Sequence, residues 1–368
     1  MINISSSITS GQVAGNGQFT KKVQQLLNDN VGGQSKTLLT TSCTHALEMS
    51  AILLDLQAGD EVIVPSFTFV SSALAFVMHG GTPVFADIRP DTLNIDENRL
   101  ESLITPRTRA IVVVHYAGVA CEMDTIMEIA SRHNLVIIED NAHGLFGKYR
   151  QRSLGSIGHM ATQSFHESKN FTCGEGGALI VNDSDYFERA EIIWEKGTNR
   201  ANFFRGQVDK YTWIDKGSSY LLADILAACL YGQLAHSEEI QGKRKAAWDF
   251  YYEELADWAA DTGVVLPHVP AECDQAYHMF YVLMPTESLR SELMRFLRTK
   301  GISTTFHYIP LHDSPMGEGY CSDHTDCEVT SSVSGRLMRL PFFTDITRQD
   351  QRLVVKAIRE FRSGRNPA

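Results

Sequence analysis

The sequence AIVVVHYAGVACEMDTIMEIASRHNLVIIED, residues 110–140, contains two short apolar runs separated by a helical pattern. Val and Ile dominate the runs Ala110–His115 and Leu135–Glu139, as they do in buried strands. Between them, Met123–Arg132 carries apolar residues at helical spacing. Strand, helix and strand in this order are typical of a βαβ unit, in which both faces of each strand are covered. Residues 110–140 therefore predict a parallel sheet.

The same alternation extends on both sides of this stretch. Helical patterns occur at Thr44–Leu56 and Ser71–Met78, and further short apolar runs occur at 61–64, Thr82–Asp87 and Ala178–Asn182. Strands that alternate with helices build an α/β domain. We predict such a domain over the first 235 residues (1–235), with an N-terminal arm, a mostly parallel central sheet and helices on both faces.

The pattern changes after about Gln233. Because 368 residues exceed one ordinary hydrophobic core, we predict a second, smaller α+β domain over residues 236–368. Its predicted elements are a charged helix at Ala235–Trp258, an aromatic strand at Tyr277–Met284 and a second helix at Ser288–Lys300. An extended FHYIPLH segment at 306–312 and a surface loop at Ser314–Cys327 follow.

The charge of the chain limits its partners. The formal net charge is -11 at pH 7, so we expect no nucleic acid and no anionic membrane as partner. A small anionic ligand stays compatible with this charge, because helix N-termini bind phosphate locally. The N-terminus lacks a signal-peptide pattern, and the best apolar run, Leu221–Gly232, is short and contains Asp224. Seven scattered cysteines without a CxxC pair favour a cytoplasmic protein without a metal site.

Three segments carry polar residues at predicted strand ends. Asp140 closes the apolar run of IIEDNAHG, and Lys169 lies between two strands in SFHESKN, ahead of the glycines of GEGG. The third segment, LLTTSCTH, leads from a strand into a helix through Cys43 and Thr44. Taken singly, these residues are explained as a helix cap or ion pair, a solvated lysine and an ordinary helix start.

Together the three segments match the needs of pyridoxal 5'-phosphate (PLP). This cofactor requires a phosphate cup, a lysine and a carboxylate that keeps its ring nitrogen protonated. Cys43 and Thr44 offer free amides at a helix N-terminus, which is a phosphate-binding geometry. Asp140 precedes Lys169 by 29 residues (169 − 140), which leaves room for one more strand between them. None of these features is specific alone.

The chain resembles the DegT/DnrJ/EryC1/StrS family of sugar aminotransferases. The resemblance extends from about Gly15 to the C-terminal domain and rests on PSFTFVSSALA, RPDTLNID, HYAGVACEMD, EDNAHG, SFHESKN, GEGGALIVND and FHYIPLH. It implies a fold-type-I, PLP-dependent enzyme that is a homodimer with active sites at the subunit interface. It also implies glutamate as amino donor and a nucleotide-linked keto-sugar as acceptor. The segments EKGTNR, FFRGQVDKYTW and GSSYL resemble members that aminate the 4-keto group of dTDP-4-keto-6-deoxyglucose to a galacto product.

The resemblance also implies roles for single residues. Lys169 would form a Schiff base with the cofactor and shuttle protons, and Asp140 would pair with the ring nitrogen. His143 would lie near the phenolic oxygen of the cofactor, with a satisfied core histidine as the alternative. Phe69 would stack on the cofactor ring, although an aromatic residue at a strand end is more often part of a core. The implied phosphate contacts are Cys43, Thr44, Ser164 and, from the partner subunit, Ser219.

Two of these residues depart from the family pattern. Cys43 stands where many members have Gly, and Ser219 stands where many have Asn. A turn that binds through backbone amides tolerates the first change. The shorter side chain of serine leaves the phosphate contact of Ser219 in doubt.

The substrate contacts are predicted from two segments. Arg200 and Lys210 lie among further cations and aromatic residues in EKGTNRANFFRGQVDKYTW, where a cation can hold a diphosphate and an aromatic ring can stack on a base. A solvated surface or a dimer contact explains this segment equally well. The resemblance places His307, Tyr308 and His312 at the sugar, and a purely structural strand is the alternative for them.

Four further hypotheses stay open. An aminotransferase for a 3-keto or another nucleotide-sugar would share all these features. A related PLP-dependent sugar dehydratase would carry His in place of Lys169. A cysteine desulfurase would need a reactive cysteine on a mobile loop, and Cys321 and Cys327 lie in a suitable loop. A relative that only binds a nucleotide-sugar is disfavoured, because Asp140 and Lys169 are both present.

Overall fold

The computed structural model describes residues 2–321 and 326–361. Its strands are β1 (Lys36–Thr40), β2 (Glu61–Pro65), β3 (Thr82–Ala86), β4 (Thr108–Val114), β5 (Val136–Asp140), β6 (Lys148–Tyr149), β7 (Arg152–Ser153), β8 (Met160–Ser164), β9 (Gly177–Val181), β10 (Cys273–Asp274), β11 (Tyr281–Leu283) and β12 (Leu337–Arg339). Its helices are α1 (Ile2–Thr9), α2 (Gln18–Asn30), α3 (Cys43–Leu53), α4 (Ser71–Val77), α5 (Leu100–Leu103), α6 (Met123–His133), α7 (Phe187–Trp194), α8 (Arg200–Phe204), α9 (Asp224–Leu234), α10 (Ser237–Thr262), α11 (Glu287–Thr299), α12 (Glu328–Arg336) and α13 (Arg348–Glu360). Short 3-10 turns occur at Glu97–Arg99, Tyr116–Gly118, Ser184–Tyr186 and Gly317–Tyr320.

A seven-stranded sheet forms the centre of the described chain, in the order β1-β9-β8-β5-β4-β2-β3. The neighbours from β8 to β3 pair in parallel, and β9 runs opposite to β8 and β1. β4 and β5 pair in register from Ala110 opposite Val136 to Val114 opposite Asp140. The predicted mostly parallel sheet is therefore confirmed, and the βαβ unit of residues 110–140 lies at its centre.

Both faces of the sheet are covered by helices, as predicted. On one face, α3 and α4 pack against alternate strand residues such as Ala110 and Val112. On the other face, α6 packs against Ile111 and Val113 of the same strand. This alternation follows from the period of two in a strand, and it explains why β4 is apolar without interruption.

The carboxyl ends of the parallel strands meet at one edge of the sheet. Because β8, β5, β4 and β2 are neighbours, the chain leaves this edge at Ser164, Asp140, Val114 and Pro65. Ligands of open α/β sheets bind outside this edge. The predicted residues at strand ends are thus brought to one place.

The C-terminal part of the chain surrounds the antiparallel pair of β11 and β12. Its core includes Trp248 of α10, Val282 of β11, Leu293 of α11 and Ile358 of α13. The predicted helices in this part are observed as α10 and α11, with ends shifted by four residues or fewer. A domain boundary after residue 235 remains our proposal.

Two features of this part differ from the sequence-based expectation. The predicted strand Tyr277–Met284 was too long, because β11 begins only at Tyr281. Tyr277 has a φ of 50°. Arg244 donates hydrogen bonds to the carbonyls of Tyr277 and His278 at 2.9 and 2.6 Å, in place of a neighbouring strand. The predicted loop Ser314–Cys327 contains a 3-10 turn, and its residues 322–325 lie outside the described chain. Among the described helices, none combines the length and the apolar character that a bilayer crossing requires.

Candidate active site

Lys169 lies in the loop that connects β8 to β9 at the carboxyl edge of the sheet. The loop is held by the Lys169 amide, which donates to His166 O at 2.9 Å, and by the Glu167 amide, which donates to Gly174 O at 2.9 Å. Gly174 has a φ of +91°, which lets the chain turn back toward β9. Burial lowers the pKa of the Lys169 ammonium below its usual range, although the nearby Asp140 carboxylate acts in the opposite direction. Because β5 and β8 are neighbours in the sheet, Asp140 at the end of β5 and Lys169 in the loop after β8 lie at the same part of this edge.

The Asp140 carboxylate ends β5 and is buried. Its Oδ2 accepts a hydrogen bond from Ser72 Oγ at 2.7 Å, and its Oδ1 accepts from the Ala142 amide at 3.2 Å. Ser72 Oγ lies 2.8 Å from Thr68 Oγ1, so the two hydroxyls form a short chain that ends on the carboxylate. A buried carboxylate with these partners is held as a hydrogen-bond acceptor in a fixed position.

The N-terminus of α3 forms a turn beside Asp140. Ser42 caps the helix by accepting from the His45 amide at 3.1 Å, while the Cys43 and Thr44 amides occupy positions that no helix can satisfy internally. Thr44 Oγ1 lies 2.8 Å from Ser71 Oγ, and Cys43 Sγ lies 3.5 Å from Thr162 Oγ1. Burial raises the pKa of the Cys43 thiol to about 12, so this side chain is neutral. The turn therefore offers amides and hydroxyls to an anion.

Gly177, the first residue of β9, approaches this turn closely. A Cβ at Gly177 would lie 2.4 Å from both Cys43 N and Ser42 C. Ser164 ends β8 directly opposite Gly177 in the pairing of β8 with β9. Ser164 is thereby placed near the α3 N-terminus, as its predicted role requires.

Phe69 lies in the turn that carries the hydroxyls of the site. It follows Thr68, and its carbonyl accepts from the Ser72 amide at 3.1 Å. Its side chain is 59% exposed, whereas that of nearby Phe67 is 1% exposed and packs against Tyr116 and Tyr308. Phe69 is therefore not a core aromatic residue, and its ring is open to a ligand.

Three imidazole rings lie together beside Lys169. His143 stacks on His278 with ring centroids 4.1 Å apart, and His307 lies 6.1 Å from His143. Burial, followed by neighbouring positive charges, lowers the pKa of His143 and of His278 well below the usual range. His278 Nδ1 lies 2.9 Å from Asn170 Oδ1. This hydrogen bond fixes Asn170, the residue directly after Lys169. The Nδ1 of His143 is buried and has no hydrogen-bond partner among the described residues.

His307 and Tyr308 join this group from the FHYIPLH segment. His307 stacks on Tyr308 at 3.5 Å, and its Nδ1 lies 3.1 Å from Tyr116 Oη. Burial, with the charges of Arg339 and Lys169, lowers the pKa of His307 to about 2. Burial raises the pKa of Tyr308, although the charge of Arg339 acts in the opposite direction. Both residues are therefore neutral and lie at the pocket.

His312 lies further along the same segment and joins it to β2. Its Nδ1 lies 2.6 Å from Ser66 Oγ, and its backbone amide donates to the same oxygen at 3.2 Å. Its Nε2 lies 3.2 Å from Ser331 Oγ. These hydrogen bonds hold His312 at the carboxyl edge of the sheet, and they are structural contacts.

Arg200, Lys210 and Ser219 are not brought to this pocket by their own chain. Arg200 lies over the ring of Phe204 at 5.2 Å and 3.7 Å from Glu195 Oε2. Lys210 and Ser219 are exposed. Among the described residues, no hydrogen bond or ion pair links these three to Lys169 or Asp140.

Several residues of the pocket were missed by the sequence analysis. Ser72 falls within the predicted helix Ser71–Met78 and His278 within the predicted strand Tyr277–Met284, and Thr68 was given no role. Arg339 was not considered, although its Nη1 lies 3.3 Å from His307 Nε2. The only sequence signal for Arg339 is a charged residue in the apolar run RLMRL, which is typical of many strand ends.

The groups present fit PLP. The α3 N-terminus offers free amides to a phosphate, Asp140 supplies a buried carboxylate for a ring nitrogen, and Lys169 supplies an amine with a lowered pKa. The buried, unpaired Nδ1 of His143 leaves one polar atom for a ligand, and Gly177 keeps the turn free of a side chain.

Fold and pocket together define a PLP-dependent transferase with a mostly parallel central sheet. The profile of the DegT/DnrJ/EryC1/StrS aminotransferase family matches residues 2–359, and the chain belongs to this family.

Two similar proteins and one further solved structure illustrate the relationship. The spore coat polysaccharide biosynthesis protein SpsC of Bacillus subtilis is 32% identical over 356 residues, which cover 93% of this chain and 90% of SpsC. DesV of S. venezuelae, solved in complex with a ketimine intermediate, is 32% identical, with a TM-score of 0.87 over 98% of this chain and 93% of DesV. The aminotransferase TlmJ from Streptoalloteichus hindustanus is 27% identical, with a TM-score of 0.88 over 97% of this chain and 94% of TlmJ.

The chain is accordingly a PLP-dependent sugar aminotransferase. This result displaces the desulfurase hypothesis and the hypothesis of a relative that only binds a nucleotide-sugar.

Proposed function

We propose that the enzyme transfers the amino group of L-glutamate to the 4-keto group of dTDP-4-keto-6-deoxyglucose, giving 2-oxoglutarate and dTDP-4-amino-4,6-dideoxygalactose. The observation that carries an amino transfer is the shared pocket of Lys169 and Asp140 at the carboxyl edge of the sheet. The choice of this sugar is supported by the segments EKGTNR and FFRGQVDKYTW. The name of SpsC supports a role in polysaccharide biosynthesis.

Lys169 and Asp140 perform the central steps in this proposal. When bound, PLP supplies an electron-accepting ring to which the amines of lysine, donor and product attach in turn. Asp140, fixed by Ser72, keeps the ring nitrogen protonated. Lys169 Nζ removes the proton from the donor α-carbon and later delivers a proton to carbon 4 of the sugar. Its lowered pKa leaves more of the amine in the basic form near neutral pH.

Further residues of the pocket are assigned to the phosphate, the phenolic oxygen and the ring of the cofactor. Cys43 and Thr44 hold the phosphate through the α3 N-terminus, with Ser164 beside them and Ser219 supplied by the partner subunit. We assign the unpaired Nδ1 of His143 to a position near the phenolic oxygen of the cofactor. The exposed ring of Phe69 is available to stack on the cofactor ring. His143 and Phe69 thus have surroundings that a core role does not explain.

The sugar and nucleotide occupy the outer part of the site. His307, Tyr308 and His312 lie on the segment that lines the pocket and are assigned to the sugar. Arg200 and Lys210 are assigned to the diphosphate of a substrate bound in the partner subunit. Their segment exposes aromatic residues, including Trp213 at 80%, which favours a role in an interface or with a base over a solvated surface.

A homodimer is supported by exposed apolar residues next to the site. Val70, Leu74 and Met78 follow one another at a spacing of four residues along α4 and its two ends, and they are 47%, 36% and 61% exposed. Isolated exposed apolar residues are common, whereas a contiguous set beside a site indicates an interface. We also propose a cytoplasmic location, since Cys121, Cys173, Cys273 and Cys327 are buried thiols outside any disulfide.

The experiment that tests the proposal is turnover of dTDP-4-keto-6-deoxyglucose with L-glutamate. We expect 2-oxoglutarate and a 4-amino sugar in equal amounts. In the proton NMR spectrum of the product, a small coupling between H3 and H4 identifies the axial amine of the galacto product. A large coupling would show the gluco product, and turnover of a 3-keto isomer without turnover of the 4-keto sugar would favour the 3-keto alternative. Absence of turnover with any nucleotide-linked keto-sugar would refute the proposal.

A further inference from the structure

Arg339 is held rigidly at the edge of the pocket. It ends β12, where it pairs with Tyr281 of β11. On its other side, its amide donates to Thr305 O at 2.7 Å and its carbonyl accepts from the Thr305 amide at 3.3 Å. Strand β12 thus has a neighbouring segment on each side at Arg339, and this fixes the backbone from which the guanidinium extends to His307.

The contact between Arg339 and His307 determines the state of the imidazole. Arg339 Nη1, which can only donate, lies 3.3 Å from His307 Nε2. His307 Nε2 must therefore be the unprotonated nitrogen, and the proton on Nδ1 is donated to Tyr116 Oη at 3.1 Å. A pKa of about 2 for His307 agrees with a neutral ring. His307 consequently orients Arg339 without neutralising its charge.

The guanidinium of Arg339 retains unused capacity for an anion. Its Nε is buried and has no acceptor, and no carboxylate of the described residues forms an ion pair with it. The Nε and Nη2 donors lie on one edge of a guanidinium, and Nη1, which His307 occupies, lies away from that edge. This edge matches a carboxylate with two parallel hydrogen bonds. A buried donor on a cation is costly unless an anion satisfies it.

We propose that Arg339 holds the α-carboxylate of the amino donor. The assignment rests on the proposed function in one respect, that the donor is an amino acid such as glutamate. Arg339 Nη1 lies 3.3 Å from His307 Nε2, and the His307 ring lies 6.1 Å from that of His143, so the guanidinium lies on the side of the pocket that carries the imidazoles. The α-carboxylate is bonded directly to the carbon from which Lys169 takes a proton. The diphosphate of the sugar substrate is separated from carbon 4 by the sugar ring, and it fits this position less well.

The test compares glutamate with γ-aminobutyrate, which is glutamate without its α-carboxylate. The donor half-reaction of the holoenzyme is followed by the loss of its visible absorbance, for wild type, Arg339→Gln and Arg339→Lys. We expect Arg339→Gln to lose about ten- to a hundredfold in the second-order rate with glutamate. Its rate with γ-aminobutyrate should equal that of wild type within about twofold, because the lost contact is absent from that donor. Arg339→Lys should recover part of the rate with glutamate.

A binding measurement separates the carboxylate contact from catalysis. In calorimetric titrations of the holoenzyme, the affinity for 2-oxoglutarate should be about ten- to a hundredfold lower in Arg339→Gln than in wild type. Arg336→Gln is the matched control, because Arg336 lies three residues away and donates to Ser332 O on α12. The second half-reaction, with the keto-sugar, should proceed as in wild type in Arg336→Gln. In Arg339→Gln and Arg339→Lys it should slow less than the reaction with glutamate, because Arg339 reaches the sugar side only through His307.

The outcomes distinguish this assignment from the proposed function. If Arg339→Gln reacts with glutamate as wild type does, or slows equally with both donors, the assignment to the α-carboxylate is wrong. A defect confined to the keto-sugar half-reaction would also overturn it and would place Arg339 at the sugar-nucleotide. A wild-type enzyme that is inert with glutamate would overturn both the assignment and the proposed donor.

Discussion

Glu139 allows a sharp test of how the pocket is held together. Its carboxylate is fully buried next to Asp140. Oε1 accepts from the amides of Ile157 and Gly158 at 2.7 and 2.6 Å, and Oε2 accepts from the Gly155 amide and from His115 Nε2 at 2.8 and 2.9 Å. In Glu139→Gln, one oxygen becomes an NH2 group, which faces two donors in either orientation.

The magnitude follows from these four contacts. The substitution removes two hydrogen bonds to a charged acceptor and leaves two buried donors unpaired, which together cost about 3–5 kcal/mol. The unfolding entropy is about 2.1 cal/mol/K per residue, so 368 residues give about 0.8 kcal/mol/K. The expected decrease in Tm is therefore about 4–6 °C.

The pH dependence provides a second, independent expectation. Burial raises the pKa of Glu139, but the bonds from His115 and the backbone amides outweigh it, so the net pKa lies below the ordinary 4.5. The stabilisation is therefore present above pH 4.5 and is lost as the pH falls through the lower pKa of the folded state. The Tm difference between wild type and Glu139→Gln should be constant near neutral pH and should narrow below pH 4.5.

The measurement is calorimetric Tm of the apoprotein between pH 4 and 8. Glu128→Gln is the matched control, since Glu128 is an exposed carboxylate on α6, and its Tm should stay within about 1 °C of wild type. A decrease of less than about 1 °C in Glu139→Gln at pH 7 would show that the four short contacts do not stabilise the fold as argued.

Three further predictions concern the cofactor. Lys169→Ala should abolish turnover and still bind PLP through the phosphate turn; turnover at a rate comparable to wild type would refute its role. Ser72→Ala should weaken PLP binding about ten- to a hundredfold in equilibrium titrations, because it removes the 2.7 Å bond that fixes Asp140; unchanged affinity would contradict this. Gly177→Ala should lose PLP binding or folded yield, because its Cβ meets backbone atoms at 2.4 Å, whereas Gly319→Ala, with nothing within 4 Å, should behave as wild type.

The sheet could be predicted because its strands depend on local sequence. Apolar runs bounded by polar strand ends determine where β4 and β5 lie, and the rule for parallel sheets then places Asp140 at the carboxyl edge. The length of β11 could not be predicted, since Arg244 of α10 donates hydrogen bonds to the carbonyls that would pair with another strand if β11 were longer. A long-range contact of this kind leaves no periodic signal.

Arg339 shows the same limit within the site. It lies 170 residues after Lys169 (339 − 169), and the pairing of β12 with β11 and with Thr305 brings it toward the pocket. Ser72 was equally hidden, because a serine at the start of a helix is common. Its bond to Asp140 depends on β2 and β5 lying on either side of β4. Residues that act through such pairings require the structure.

The charges of the pocket explain how an acidic chain binds anionic substrates. The net charge of -11 argues against extended anionic partners, yet it does not describe the site. His143, His278 and His307 are neutral because burial and nearby cations lower the pKa of each. Arg339 and the α3 N-terminus therefore supply positive charge and free amides to anionic substrates beside the carboxylate of Asp140. Because the imidazoles do not titrate near neutral pH, the movement of protons there rests on Lys169, and Arg339 keeps its charge for the substrate.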